Sequence, residues 1–356
     1  MDRFVSIVRP LGIALGVSSL FGLSACTSAA AETGVATAPA PVRQRVVVAG
    51  VETTLPMDRK AEETVDLHPV TELFRGVPGL NWTPQSPENE PTETLYNKSA
   101  ETLFRRGVWQ FQISFRPLRM IRLDLPQADG KMRRKVIWYM VYRITNPGQH
   151  MTPVEGAESR KAQFDAWHKG LYTIERVDKE GQLLANVGVQ RFIPSFKLQE
   201  VDEHKPKAEL REWLDEIVPL AKEAIYRREQ PPCSLENFSN TVEIAKKPIP
   251  LTTPEVDNSV WGFVTWIGGD PPRPQANEID PRLDYFSIYI WGLTNAYRWE
   301  DKPGVYKPGD PPGTGRKMEQ KVLKLNYSRP GDEYLQREDE IKFGIPGQVD
   351  WEWLYR

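Results

Sequence analysis

The sequence predicts a mainly β protein, and three features carry that prediction. Apolar residues recur with period two in several short runs, Pro and Gly punctuate those runs, and the aromatic residues that suit pleated surfaces are plentiful. The 356 residues include 31 Pro and 25 Gly. A Pro usage of about 5% would give roughly 18, so elements should be short and turns many.

Taken in order, residues 26–100 form a weakly patterned lead-in, with one strand expected over Val46 to Val51 and an irregular stretch over Trp82 to Leu95. Residues 101–200 carry the first strong β pattern. Trp109, Phe111, Ile113 and Phe115 alternate with polar partners, and Met120 to Leu125 extends the alternation. Asp129-Gly130 is a hairpin signal before the long apolar run Val136 to Asn146, which ends at Pro147-Gly148. Further strands are expected over Tyr172 to Val177 and Leu183 to Phe192.

A helical connector is expected over residues 205–230. Leu210, Trp213, Leu214, Ile217, Val218, Ala221, Ala224 and Ile225 form one apolar stripe at helical spacing, with Glu209, Arg211, Glu212 and Lys222 off it. Pro219 should kink this helix or begin a second one, and Pro231-Pro232 should stop it. Residues 235–356 then return to β patterning, with strands expected over Val260 to Ile267, Tyr285 to Leu293, Lys321 to Tyr327 and Val349 to Tyr355. The two halves share an echo, since Tyr142 to Asn146 and Trp291 to Asn295 each close an aromatic-rich strand with Thr-Asn. The expected architecture is two immunoglobulin-like β-sandwiches, 101–200 and 235–356, joined by the amphipathic helix.

The N-terminus reads as an address. Arg3 and Arg9 flank a polar start, followed by the apolar run Leu11 to Leu23, which is shorter than the about 20 residues that span a bilayer. Leu23-Ser24-Ala25-Cys26 resembles the lipobox of bacterial lipoproteins. That resemblance implies cleavage after a signal peptide of residues 1–25, and attachment of palmitate-type acyl chains at Cys26. Thr27, in place of Asp, points to the periplasmic face of the outer membrane, with the inner membrane as the other destination. The small, polar residues that follow have the composition of a tether. The chain has a net charge of -2, and loss of Asp2, Arg3 and Arg9 leaves a mature charge of -3, so no global field gathers nucleic acid. Cys233, the one other cysteine, leaves no internal disulfide. Its flanking Pro231-Pro232-Cys233-Ser234, with no histidine after it, reads as an inert thiol.

Four constellations could carry chemistry. Gly309-Asp310-Pro311-Pro312-Gly313-Thr314-Gly315-Arg316-Lys317 mimics a phosphate-binding loop, but Asp310 occupies the first glycine position and Arg316 the lysine position, so no nucleotide is expected. His68, His150, His168 and His204 show no metal-ligand spacing, and no metal or other cofactor is expected. Asp165 with His168 could pair at i,i+3, and Asp270, Glu278, Asp280 and Asp284 could hold calcium or act as a glycosidase dyad. Trp261, Trp266, Trp291 and Trp299 could form a sugar-stacking platform.

The strings Asp284 to Tyr289, Gly292 to Trp299 and Pro308 to Pro312, with Trp138 to Tyr142, resemble an uncharacterised family of exported lipoproteins of planctomycete-type bacteria. The resemblance spans roughly residues 100–356 and implies an extracytoplasmic home without implying an activity. The expected function is that of a non-catalytic cell-envelope lipoprotein with a structural or protein-binding role. A carbohydrate-binding envelope lipoprotein and an extracytoplasmic hydrolase are the alternatives.

Overall fold

A computed structural model describes residues 51–69, 103–127, 129–148, 151, 189–270, 274–302, 304–305, 307, 310, 314–329 and 341–356, all of which fall in one compact unit. The lipobox, Asp165, His150, His168 and the expected strand over Tyr172 to Val177 lie outside the described residues. The strands are β1 Thr53–Thr54, β2 Val65–Pro69, β3 Leu103–Arg105, β4 Gln112–Phe115, β5 Arg119–Pro126, β6 Met132–Thr145, β7 Gln190–Arg191 and β8 Ser195–Glu200. They continue with β9 Glu212–Leu214, β10 Pro248–Ile249, β11 Val260–Gly268, β12 Tyr285–Trp291, β13 Tyr297–Asp301, β14 Arg316–Ser328, β15 Lys342–Phe343 and β16 Trp351–Tyr355. Two helices, α1 Ala221–Glu229 and α2 Thr241–Ala245, lie between β9 and β10.

The chain is mainly β, with antiparallel pairing throughout its named strands. One sheet has β6 at its centre, with β4 and β5 along one edge and β11 along the other. The second centres on β14, flanked by β12 and β13 on one side and by β15 and β16 on the other, with β8 and β9 beyond β12. The expected hairpin at Asp129-Gly130 joins β5 to β6, with Gly130 at φ +75° and the Asp129 carboxylate accepting from the Lys131 amide at 3.0 Å.

β6 explains why residues 136–146 read as a near-continuous apolar run, because both of its faces are buried. Its even positions, Trp138, Met140, Tyr142 and Ile144, enter a core shared with Phe196, Leu198, Phe286, Ile288, Leu323 and Leu325 of the second sheet. Trp138 meets Phe286 edge to face, with ring centroids 5.4 Å apart. Its odd positions, Ile137, Tyr139 and Val141, enter a second core with Ala221 and Ile225 of α1, Phe238 and Phe263. Burial of each such side chain is worth about 1.5–3 kcal/mol.

Two sequence expectations are corrected here. Strands assigned to separate sandwiches pair with each other: β6 runs against β11 from Ile144↔Val260 to Val136↔Gly268, and β8 runs against β12 from Glu200↔Phe286 to Ser195↔Trp291. The helix expected over 205–230 is also mostly absent. Glu212–Leu214 is a strand beside β8, because the open edge of the second sheet takes up its backbone groups; Glu200 N–H donates to the Arg211 carbonyl at 2.9 Å and Asp215 N–H to that of Phe196 at 3.1 Å. The helix proper begins at Ala221 with Leu220 as its N-cap, so Pro219 lies just outside its N-terminus and interrupts none of its hydrogen bonds. Gln230, left-handed at φ 46°, ends it ahead of Pro231. The buried stripe of α1 runs Ala221, Ile225, Glu229. The Glu229 carboxylate is matched there by the Tyr139 hydroxyl at 2.7 Å and Arg119 at 3.1 Å, and burial, with the Glu229 carboxylate beside it, pushes the Tyr139 phenol well above its ordinary value against the opposing pull of Arg119.

The segment ahead of β2 closes one side of the double sheet. Leu55 enters the core between the sheets, and β1 pairs with β4. Glu63 then pairs with Lys321 of β14; both are buried, and the Tyr355 hydroxyl donates to Glu63 at 2.8 Å. Asp58 adds a second contact to Lys321 at 3.2 Å.

Candidate functional site

The outer surface of the second sheet holds an open cleft of about 690 Å³ where β8, β9, β12, β13 and β14 meet. Its floor depends on the connection between β12 and β13. Gly292 has φ +87°, and a Cβ there would lie 2.2 Å from the Ile193 carbonyl oxygen, so only glycine lets the chain turn this close to the approach to β8. Thr294 and Asn295 then fasten the segment before β4. The Asn295 side chain accepts from the Trp109 amide at 2.8 Å and donates to the Gly107 carbonyl at 2.9 Å, while the Thr294 hydroxyl donates to the Trp109 carbonyl at 2.7 Å. Asn146, its counterpart in the echoed motif, lashes a different pair of segments: it donates to the Ile249 carbonyl at 3.0 Å and accepts from the Gly148 amide at 3.1 Å. Asn295 thus uses its side-chain amide as a strand partner would, whereas Asn146 closes its own turn at Gly148 and ties it to Ile249.

Three aromatic residues, Trp109, Trp291 and Tyr297, face the cleft, and around them stand three exposed aliphatic side chains: Ile193 at 67%, Leu214 at 63% and Met318 at 60% exposure. Trp291 is held from beside by Tyr289, with ring centroids 6.1 Å apart, and by the Lys197 ammonium 5.8 Å from its ring. Lys197 in turn pairs with Glu212 at 2.7 Å.

Of the four tryptophans expected to share a platform, the structure brings only Trp291 to this cleft. Trp299 is half-buried on neighbouring β13, opposite Met318 in register, with the Arg316 guanidinium 3.3 Å over its ring. Trp261 and Trp266 are corrected to core residues. They lie five apart on β11 and therefore project from opposite faces, Trp266 between the sheets and Trp261 toward α1. Trp109, Ile193, Leu214 and Met318 were not singled out from the sequence. They come from four separate segments, and the only local hint is an apolar residue in the solvent phase of an alternating strand.

Three of the acidic residues near 270–284 are paired with cations of the fold. Lys135 takes both Asp270, at 2.7 Å, and Glu278, at 2.9 Å. Burial alone would lower the Lys135 pKa, but these two hydrogen bonds hold it above its ordinary value. Asp280 receives Arg211 at 2.8 Å and Arg282 at 3.3 Å. Burial raises the Asp284 carboxyl, with Arg329 opposing. Among the described residues no group of three or more His, Cys, Asp or Glu side chains is placed to hold a metal. Of the Gly309 to Lys317 stretch, Gly309 and residues 311–313 lie outside the described residues; Arg316 and Lys317 open β14 in register with Asp301 and Glu300 of β13, and Asp310 accepts from the Lys307 amide at 2.8 Å. Cys233 is half-buried, and burial raises its thiol.

A pH dependence follows from the cluster around Arg211. Burial would raise the Asp280 and Glu200 carboxyls, but hydrogen bonds from Arg282 and Arg211 to Asp280, and from Lys205 and Arg211 to Glu200, hold both below their ordinary values. Those ordinary values are about 3.9 for Asp and 4.3 for Glu in the unfolded chain. The stability these groups contribute is complete above that range and is lost as the pH falls through the lower folded values. Asp215, raised by burial despite the Thr241 hydroxyl at 2.7 Å, acts with the opposite sign and gains stability as it protonates. Thermal melts followed by circular dichroism should hold steady from pH 7 to about 5 and fall below about pH 4, and Asp280→Asn should flatten that fall. An unchanged acid limb in Asp280→Asn contradicts the assignment.

Among the described residues no helix is long and apolar enough to cross a membrane. No protein-family model, curated protein or solved structure matches the chain.

Proposed function

We propose that the chain is a non-catalytic cell-envelope lipoprotein, held by acyl chains on Cys26, whose two facing sheets serve as a sandwich-type scaffold for docking a partner protein at the Trp291 cleft. The observation that carries this reading is the ring of exposed Ile193, Leu214 and Met318 around a half-buried aromatic floor. Clustered apolar exposure of this kind, with aromatic anchors at its centre, is how protein-docking surfaces are built. The pairing of Asp270 and Glu278 with Lys135, and of Asp280 with Arg211, supports a non-catalytic role, because these carboxylates are already engaged by cations of the fold. The signal-like N-terminus and lipobox support the envelope address. So does the resemblance to exported lipoproteins of planctomycete-type bacteria.

A second reading, binding of a saccharide, is favoured by one observation. The Trp291 ring faces the cleft beside Trp109 and Tyr297, a surface on which sugar C–H groups stack.

Photo-crosslinking in intact cells separates the readings. A photoreactive residue at Met318 should yield one covalent protein adduct, lost in Trp291→Ala. The same residue at Met132, equally exposed at 60% but on the β5–β6 hairpin, should yield none. Mass spectrometry of the extracted protein should find acylated Cys26 at its N-terminus. No adduct at Met318, with a glycan array that responds to Trp291→Ala, moves the assignment to the second reading.

A further inference from the structure

The lining of the cleft has a charge sign as well as a shape. Among the described residues no Asp or Glu lines it, whereas Arg191 and Lys197 both do. Arg191 is exposed and enters no ion pair among the described residues. Glu212, the carboxylate that pairs with Lys197, is shared between two cations, Lys197 and Arg356. This basic lining stands on a chain whose net charge is -2, so the positive potential is a local property of the cleft. Ile193, Leu214 and Met318 lie on its rim, where methyl-rich side chains offer nothing to sugar hydroxyls but fit apolar side chains.

Resting on the reading that this cleft is a docking site, we propose that its occupant is an extended segment of a partner protein that combines acidic residues with apolar anchors. The apolar anchors sit on Trp291, Trp109 and the aliphatic rim. The carboxylates meet Arg191 and Lys197, and complementary charge then sets partner choice and the rate of encounter. An acidic segment also avoids the like-charge penalty that a basic one meets here.

The test uses the full-length protein and two labelled synthetic peptides with the same Leu and Trp residues. One carries Glu and the other Lys at the intervening positions, and binding is read by fluorescence anisotropy. The Glu peptide should bind, weaken as salt rises, and lose on the order of tenfold or more in affinity with Arg191→Glu/Lys197→Glu. The Lys peptide should not bind. Equal binding of both peptides, unchanged in Arg191→Glu/Lys197→Glu but lost in Trp291→Ala, overturns the acidic preference and leaves the docking site standing. Binding of neither peptide, with an anionic uronic-acid oligosaccharide bound in a Trp291-dependent way, overturns the protein partner. Peptide binding indifferent to Trp291→Ala overturns the site itself. Thermal melts confirm that each variant is folded.

Discussion

Lys321→Met is expected to destabilise the protein by about 3–5 kcal/mol, the cost of leaving a buried charge without its partner. Lys321 and Glu63 are both buried, and their pairing fastens the segment ahead of β2 to β14. With the ammonium gone, the buried Glu63 carboxylate keeps two neutral donors, the Tyr355 hydroxyl at 2.8 Å and the Lys60 amide at 3.3 Å, and no cation offsets its desolvation. Asp58 loses its 3.2 Å partner as well. Urea unfolding should show the full loss in Lys321→Met, whereas Lys321→Met/Glu63→Leu, which removes both charges, should recover much of it. A single-variant loss below about 1 kcal/mol is the value expected of an exposed pair and would show that water reaches Glu63.

Gly262→Ala carries the second large effect. Gly262 pairs in register with Tyr142, and an added Cβ would lie 2.6 Å from the Tyr142 ring. The ring cannot retreat, because it is fully buried, with Phe196 5.1 Å and Phe192 6.1 Å away by ring centroids. Overpacking of a tight core costs about 1–3 kcal/mol, and a clash against a ring clamped on both sides belongs at or above the top of that range. Among the described residues the Tyr142 hydroxyl has no hydrogen-bond partner, so Tyr142→Phe should be neutral or slightly stabilising. Gly262→Ala in a Tyr142→Val background should cost much less than in the native sequence. Equal costs in the two backgrounds, read from urea midpoints, would place the strain elsewhere.

Much of the strand content was legible, and the reasons differ by element. β6 and β11 announced themselves as apolar runs because both of their faces are covered. The run from Lys321 to Tyr327 announced itself by alternation, and that alternation held an unread signal: Lys321 occupies the phase of Leu323, Leu325 and Tyr327, all buried. A lysine in the apolar phase of a strand implies a buried counter-ion, but not that it is Glu63, which lies more than 250 positions away. Lys135, in phase with Ile137 and Tyr139, carries the same message about Asp270 and Glu278. The misread segment was 206–220. Trp213 is inward under both a helical and a strand pattern, so it could not discriminate; Leu214 could, since the helical stripe buries it and the observed strand exposes it. Partner choice was not legible at all, because period two says which face a residue uses and nothing about which strand lies alongside. The cleft was unreadable for the same reason, being assembled from segments that meet only once those partners are chosen.

β6 has a consequence for how the molecule is made. The ribosome releases β6 long before β11, and Ile144 and its partner Val260 are more than a hundred residues apart. Throughout that interval Trp138, Met140 and Tyr142 have no completed sheet to enter, and an unpaired apolar strand edge invites association with other nascent chains. The newly made polypeptide is therefore expected to depend on a holding chaperone until its last third has been synthesised.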